Sequence, residues 1–149
     1  MEFSHLDKHD HPQMVDVSDK VLSQRRAVAT GSIQLKAETI KQITANTIRK
    51  GNVLITAELA GIASAKHTGT LIPLCHPLLL TKIGVKAEVT DTGVLVTAEV
   101  KCTGTTGVEM EALTAVSVAL LTVYDMCKAV DKTMVIGEIT LVEKTKTAV

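Results

Sequence analysis

The segment from Val108 to Asp131 constrains the fold of this chain more than any other. It contains neither proline nor glycine, and Leu113, Val116, Leu120, Val123 and Cys127 recur three and four residues apart. Residues at that spacing lie on one stripe of an α-helix, and an apolar stripe has to be buried. The segment therefore predicts a core helix against which the other elements pack. Because 46% of the residues are apolar but only 1% are aromatic, we expect an aliphatic core.

The start of this helix has a capping pattern. The Thr106 hydroxyl can accept a hydrogen bond from a free backbone N–H, and Glu109 follows three residues later. Threonine with a carboxylate three positions on is typical of a capping box, so the pattern predicts a helix that begins at Thr106.

Polar groups gather at both ends of the helix. Glu109 and Glu111 fall in the first turn, and Asp125 and Lys128 lie near the last. Glu111 and Asp125 are fourteen positions apart, which is about 20 Å at about 1.5 Å per residue. That distance is too large for one small site, so our hypothesis is that a shared site would need a second copy of the helix and lie between subunits.

Length and charge narrow the class of protein. A chain of 149 residues fits one domain, and its sixteen basic and sixteen acidic residues cancel. The balance argues against nucleic acid or an anionic membrane as partner. Three widely spaced cysteines without a Cys-x-x-Cys motif, and no signal peptide or bilayer-length apolar run, predict a cytoplasmic protein.

The rest of the chain alternates strands and helices. We expect strands at 25–35, with Gly31 as a bulge, and at 78–90, 94–102 and 134–142, and helices at 36–50 and 52–66, the second capped by Asn52. The order predicts a single α+β domain, a two-layer sandwich with a mostly antiparallel sheet and helices on one face. Residues 1–13 and 144–149 are expected to be flexible. The histidines at 5, 9 and 11 are more often incidental in such an arm than metal ligands.

Several polar residues could carry chemistry, although each has a structural explanation. Lys50 and Lys66 could simply stabilise helix C-termini. His76 lies between two prolines in the connector 71–77, which would hold its ring in place. Asp125 and Lys128, three residues apart, form either a solvated ion pair or a proton-transfer pair. No phosphate-loop, dinucleotide-binding or serine hydrolase motif occurs.

Five segments together resemble the signatures of the MoaC family. They are Met-Val-Asp-Val-Ser at 14–18, Lys-Gly-Asn-Val at 50–53, Leu-Ile-Pro-Leu-Cys-His-Pro-Leu at 71–78, Thr-Gly-Val-Glu-Met-Glu-Ala-Leu-Thr-Ala at 106–115 and Tyr-Asp-Met-Cys-Lys-Ala-Val at 124–130. The resemblance covers roughly residues 14–142, and the last three segments are long and specific.

The resemblance implies a ferredoxin-like subunit assembled as a hexamer, a trimer of dimers, with active sites at subunit interfaces. It also implies a lyase of the phosphorus–oxygen class in molybdenum cofactor biosynthesis. Such an enzyme converts (8S)-3′,8-cyclo-7,8-dihydroguanosine 5′-triphosphate to cyclic pyranopterin monophosphate and releases pyrophosphate. The pathway neighbours would be a radical-SAM GTP cyclase and molybdopterin synthase. No cofactor or resident metal is expected, and whether Mg²⁺ escorts the triphosphate stays open.

Carried over by position, the resemblance implies that Asp125, Lys128 and Lys50 are catalytic. It implies substrate-binding roles for two short stretches and two basic residues: Leu74, Cys75, His76, Glu109, Met110, Glu111, Arg25 and Lys66. A triphosphate substrate and a pyrophosphate leaving group call for clustered cations of this kind.

Two departures from the family pattern bear on the site. Many members have lysine where this chain has Thr105, and the usual Gly-Gly-rich tail is replaced by Lys-Thr-Lys-Thr-Ala-Val at 144–149. These changes put one cation and any contribution of the tail in doubt. The alternatives are a non-catalytic oligomeric module that binds a nucleotide or pterin, and an enzyme that forms a Schiff base on a lysine.

Overall fold

The fold is a four-stranded antiparallel sheet covered by helices on one face, in a computed structural model that describes residues 6, 7 and 9–149. The elements in chain order are β1 (Ser23–Gln34), α1 (Ala37–Thr44), α2 (Val53–Lys66), α3 (Thr68–Leu71), β2 (Leu80–Thr90), β3 (Gly93–Gly104), α4 (Glu109–Cys127) and β4 (Val135–Ala148). The strand order is β2-β3-β1-β4. The predicted α+β, ferredoxin-like sandwich is confirmed.

The long helix α4 packs directly on the middle of the sheet. Alternate residues of β3 are buried beneath it, from Val94 to Cys102. A Cβ atom added to Gly31 in β1 would lie 2.7 Å from Cγ1 of Val116 and 2.9 Å from Cδ1 of Leu120. Glycine at this position therefore permits the close approach of helix and sheet. The irregularity expected at Gly31 lies between β1 and β4, where the register shifts between Thr30 and Ser32.

Helix α2 packs beside α4 on the same face of the sheet. Its Gly61 lies close to Val85 of β2 and to the Ala115 carbonyl, both 3.0 Å from an added Cβ. The predicted cap is confirmed, because Asn52 Oδ1 accepts a hydrogen bond from the Ile55 N–H at 3.0 Å. The two helices and the sheet enclose the aliphatic core.

Two predicted helix boundaries are wrong. The helix expected at 36–50 ends at Thr44, because Asn46 adopts a left-handed conformation with φ of 54° and breaks the repeat. The core helix begins at Glu109, with Val108 at the N-cap, so Thr106 does not cap it. The Glu109 carboxylate forms an ion pair with Lys144 instead of closing a capping box.

The last strand is longer than predicted. Residues 144–148, expected to be a flexible tail, continue β4 and pair with the beginning of β1, with Thr145 opposite Arg26 and Ala148 opposite Ser23. Alternating threonines favour an extended strand, and exposed lysines are common on a sheet edge. The prediction of a flexible tail is wrong because the pairing with β1, which is distant in sequence, orders this charged segment.

The described part of the N-terminal segment contains one isolated β-bridge. Among the described N-terminal residues, Leu6 and Pro12 form an isolated bridge, and His9 and His11 are exposed; His5 lies outside the described residues.

Within residues 6–7 and 9–149, α4 is the one helix long and apolar enough to cross a bilayer. Its sheet-facing side is buried in the fold, as expected for a core helix.

The stripe on α4 can be tested with neighbouring leucines. Leu120 is fully buried and Leu121 is 57% exposed. Leu120→Ala should lower the free energy of unfolding by about 2 to 5 kcal/mol through lost burial and the cavity left behind. The measurement is equilibrium unfolding in denaturant, with Leu121→Ala as the matched control. A loss below about 1 kcal/mol at Leu120, or an equal loss at both positions, would contradict this packing.

Candidate active site

A cleft of about 490 Å³ opens at the N-terminal end of α4. Its walls come from three places: the segment before β1, the proline-rich connector after α3, and the first turn of α4. The lining residues are Val15, Val17, Lys20, Leu74, Cys75, His76, Leu78, Thr106, Gly107, Glu109, Met110 and Glu111. Six of the eight residues expected to bind substrate therefore meet in one cleft.

The imidazole of His76 is fixed against the N-terminal segment. Its Nε2 lies 2.7 Å from the carbonyl oxygen of Val15. A carbonyl can only accept, so Nε2 must carry the hydrogen and donate it, which leaves Nδ1 as the acceptor of the neutral ring. The connector thus presents a histidine of defined tautomer and orientation.

Glu111 is the buried carboxyl group of the cleft, with 4% of its surface exposed. Burial raises its pKa above the usual value, the neighbouring Glu109 raises it further, and a hydrogen bond from its own backbone N–H opposes the shift. Burial also raises the pKa of the Cys75 thiol, with a smaller contribution from Glu111. Both shifts favour the protonated form of the group, so Cys75 is a poorer nucleophile than an exposed thiol.

Cations surround this end of α4. Lys20 lines the cleft, and Lys144 reaches its wall through the ion pair with Glu109. Lys66 lines an adjoining cavity of about 290 Å³ that shares Leu78 and Glu111 with the cleft. These positions allow several cations to approach one anionic group bound there.

Arg25 lies beside the cleft but opens onto another cavity. Its Nη2 donates to the carbonyl oxygen of Thr105 at 3.2 Å, and its Nε is buried without a partner among the described residues. The side chain lines a separate cavity of about 420 Å³ together with Arg26 and Lys101. The structure thus places Arg25 next to Thr105 rather than in the cleft itself.

The three remaining residues form a cluster at the other end of α4. Asp125 Oδ2 lies 2.7 Å from Lys50 Nζ, which also donates to the Asp125 carbonyl at 2.9 Å. Asp125 Oδ1 lies 2.6 Å from Lys128 Nζ. Hydrogen bonds from Lys128 first and Lys50 second lower the Asp125 pKa to about 2, and Asp125 raises the pKa of Lys128. The cluster is a carboxylate held between two ammonium groups.

The cluster and the cleft do not meet within one chain. Asp125 lies in the last turns of α4 and Glu111 in its first turn, about 20 Å away along the helix axis. A single copy of the chain therefore presents two separate groups of polar side chains at opposite ends of one helix.

Sequence reasoning missed two cations, Lys20 and Lys144. Lys20 follows the 14–18 motif closely, which was a usable signal for a wall of the site. Lys144 was assigned to a flexible tail, and only the pairing of β4 with β1 brings it to Glu109. Among the residues the structure describes, no group of three or more His, Cys, Asp or Glu side chains converges as a metal site would require.

Comparison with known proteins agrees with the sequence motifs. The model of the MoaC family matches residues 14–147. Proteins named cyclic pyranopterin monophosphate synthase are similar over nearly the full length. The one from Desulfitobacterium hafniense is 52% identical, covering 97% of this chain and 90% of its own length. The one from Staphylococcus aureus strain Newman is 53% identical, covering 96% and 90%. One from Thermoanaerobacter sp. is 51% identical, covering 97% and 92%. The family match over most of the chain and these relatives show that the chain belongs to the MoaC family.

Proposed function

We propose that the protein is a cyclic pyranopterin monophosphate synthase. It converts (8S)-3′,8-cyclo-7,8-dihydroguanosine 5′-triphosphate to cyclic pyranopterin monophosphate and releases pyrophosphate, as a phosphorus–oxygen lyase of molybdenum cofactor biosynthesis in the cytoplasm. Relatives named for this activity, at about half identity over nearly the whole chain, support the assignment. The observation that carries it is the cluster of Asp125 with Lys50 and Lys128.

The charges suit such a substrate. A triphosphate needs several cations, and Lys20, Lys66 and Lys144 lie at or beside the cleft. Charge-assisted hydrogen bonds to phosphate oxygens would compensate for removing the anion from water. His76 and Glu111 are placed to hydrogen-bond the purine-derived ring. The chain as a whole is neutral, so its affinity for phosphate has to come from the lysines at the cleft and not from its net charge.

The cluster explains how protons are supplied. In the resting state the lysines are the acids and Asp125 is their ionised partner, because its pKa is about 2. A carboxylate of so low a pKa is a weak base. If substrate phosphates draw one lysine away, Asp125 loses a cation and its pKa rises, so it becomes a better acceptor as the substrate binds.

We also propose that the working site combines two copies of the chain. A two-fold axis across α4 would run the two helices antiparallel and bring Lys128 of one copy towards Glu111 of the other. The exposed side of α4 carries Met110, Leu121 and Tyr124, which is consistent with a covered surface. A hexamer built as a trimer of dimers satisfies this requirement.

The proposed reaction includes no resident cofactor, and the described part of the chain offers no converging set of three or more metal ligands. That finding does not bear on Mg²⁺ bound through substrate phosphates, which needs only one or two protein carboxylates. A Schiff base is not favoured, because both lysines form ion pairs with Asp125, which also raises the pKa of Lys128.

The reaction can be tested directly with a paired variant. Pyrophosphate release from the cyclised dihydro-GTP substrate should be rapid with the native protein and fall by at least about 10²-fold in Lys128→Ala, since a proton donor is lost. Lys132→Ala, an exposed lysine four residues on, is the control and should keep the activity. Absence of release by the native, folded oligomer would leave a non-catalytic binding module.

The shared site predicts complementation between inactive subunits. In a random one-to-one mixed oligomer of His76→Ala and Lys128→Ala chains, about a quarter of the sites should take both intact halves from different copies. The measurement is pyrophosphate release after the two variants are refolded together. The control pair, His76→Ala with Glu111→Gln, alters the same half-site and should not recover. Equal recovery in both pairs, or none in either, would contradict an interfacial site.

The two ion pairs of Asp125 predict how the stability of the fold depends on pH. Because the folded-state pKa of about 2 lies below the usual value of 3.8, the ion pairs stabilise the fold at pH values above 3.8. That contribution is lost as the pH falls through the folded pKa. Carbon-13 NMR titration of the Asp125 carboxyl group should show the low pKa in the native chain and a higher one in Lys128→Met. An unchanged pKa in Lys128→Met, or an equal rise in Lys132→Met, would show that Lys128 is not its specific partner.

A further inference from the structure

We propose that Asp131 is a positioning residue for Lys50. It ties the beginning of α1 to the end of α4 and so determines where the Lys50 ammonium group meets Asp125. The inference rests on the proposed function for its activity readout, but its structural readout does not.

Asp131 is fully buried and is held by four hydrogen bonds. Its Oδ2 accepts from the Lys36 N–H at 2.8 Å and from the Thr39 hydroxyl at 3.1 Å. Its Oδ1 accepts from the Thr133 N–H at 2.9 Å and the Thr133 hydroxyl at 3.0 Å. These bonds lower its pKa although burial opposes the shift, so the group is a buried anion.

Burying a charged carboxylate costs free energy, and hydrogen bonds or opposite charges have to compensate for that cost. None of the ion pairs between described residues includes Asp131, so donors and the N-terminal end of α1 provide its compensation. The N-cap residue of α1 is Lys36, whose side chain has no acceptor. A carboxylate distant in sequence instead binds the N–H of the N-cap residue and the hydroxyl of Thr39, and it can do so only if α1 and α4 keep a fixed separation.

The backbone of Asp131 is attached to α4. Its N–H donates to the Cys127 carbonyl at 3.0 Å, directly after the turn that carries Lys128. One residue thus links the helix end bearing Asp125 and Lys128 to the start of α1. The link is made of short hydrogen bonds inside the core and not of exposed ion pairs.

Residues 36–50 are consequently held at both ends by the end of α4. Lys36 is held by Asp131, and Lys50 is held by Asp125. Between them Ile43 and Ile48 are buried. The Lys50 ammonium reaches both the carboxylate and the carbonyl of Asp125, so a shift of its backbone would break at least one of these contacts. Asp131 acts on the site through Lys50 and lies in the core away from the substrate.

The test compares two threonines that bind the same carboxylate. Thr39→Val removes the hydroxyl that links Asp131 to α1, while Thr133→Val removes a hydroxyl of its own turn and leaves that link intact. Thr39→Ser restores the hydroxyl and is the rescue variant. Asp131→Ala removes both sides and is used if it folds, as judged by circular dichroism and thermal melting.

The first readout is the rate of acetylation of each lysine by acetic anhydride in the full-length chain, measured by mass spectrometry. The two hydrogen bonds from the Lys50 ammonium group to Asp125 limit the access of the reagent to its nitrogen. Thr39→Val and Asp131→Ala should increase labelling of Lys50 several-fold relative to Lys41, as should Asp125→Asn, the positive control. Thr133→Val and Thr39→Ser should leave it near the native rate.

The second readout is the kinetics of pyrophosphate release. Thr39→Val should lower kcat by up to about 10²-fold with a smaller change in KM, because a misplaced catalytic group affects the transition state more than binding. Equal effects of Thr39→Val and Thr133→Val, or native labelling of Lys50 in Thr39→Val, would overturn the inference. Native protein without activity would refute the proposed function alone, because labelling would still decide the role of Asp131.

Discussion

The close packing of α4 on the sheet is the constraint on which the rest of the structure depends. Gly31 removes the side chain that would otherwise collide with Val116 and Leu120, and small residues in α2 allow that helix to lie alongside. A closely packed protein interior has few alternative arrangements of its side chains. The two ends of α4 are therefore fixed points in the molecule, and each supports a group of functional side chains.

The carboxyl groups at these two ends have opposite environments. Glu111 is buried, and its pKa is raised, whereas Asp125 is exposed between two lysines and its pKa falls to about 2. Titratable groups whose environments push their pKa values apart are suited to different proton-transfer roles. The helix dipole favours Glu111 at the N-terminal end and disfavours Asp125 at the C-terminal end. Lys50 and Lys128 offset the second effect, so the ion pairs keep the carboxylate charged.

How much of this could be read from the sequence depends on how local each feature is. The core helix, the Asn52 cap and the α+β order were predicted because periodicity and caps act within a few residues. The predicted capping box does not form, and the Glu109 carboxylate instead makes an ion pair with Lys144, far along the chain. The same long-range pairing turned an expected tail into a strand and brought a cation to the cleft. Residue types could be predicted from motifs, but which distant residues meet could not.

The proposed two-copy site would also explain how a neutral chain can act on a highly charged substrate. Some of the cations at each end of α4 are paired with carboxylates: Glu109 pairs with Lys144, and Asp125 pairs with Lys50 and Lys128. These pairs weaken the positive potential that the two ends present to other anions. In the proposed assembly, cations from both ends would act together where a second copy supplies the other group. Selectivity for a large substrate with a phosphate end and a ring end would then follow from the span between the two groups, because a small anion could occupy only one of them.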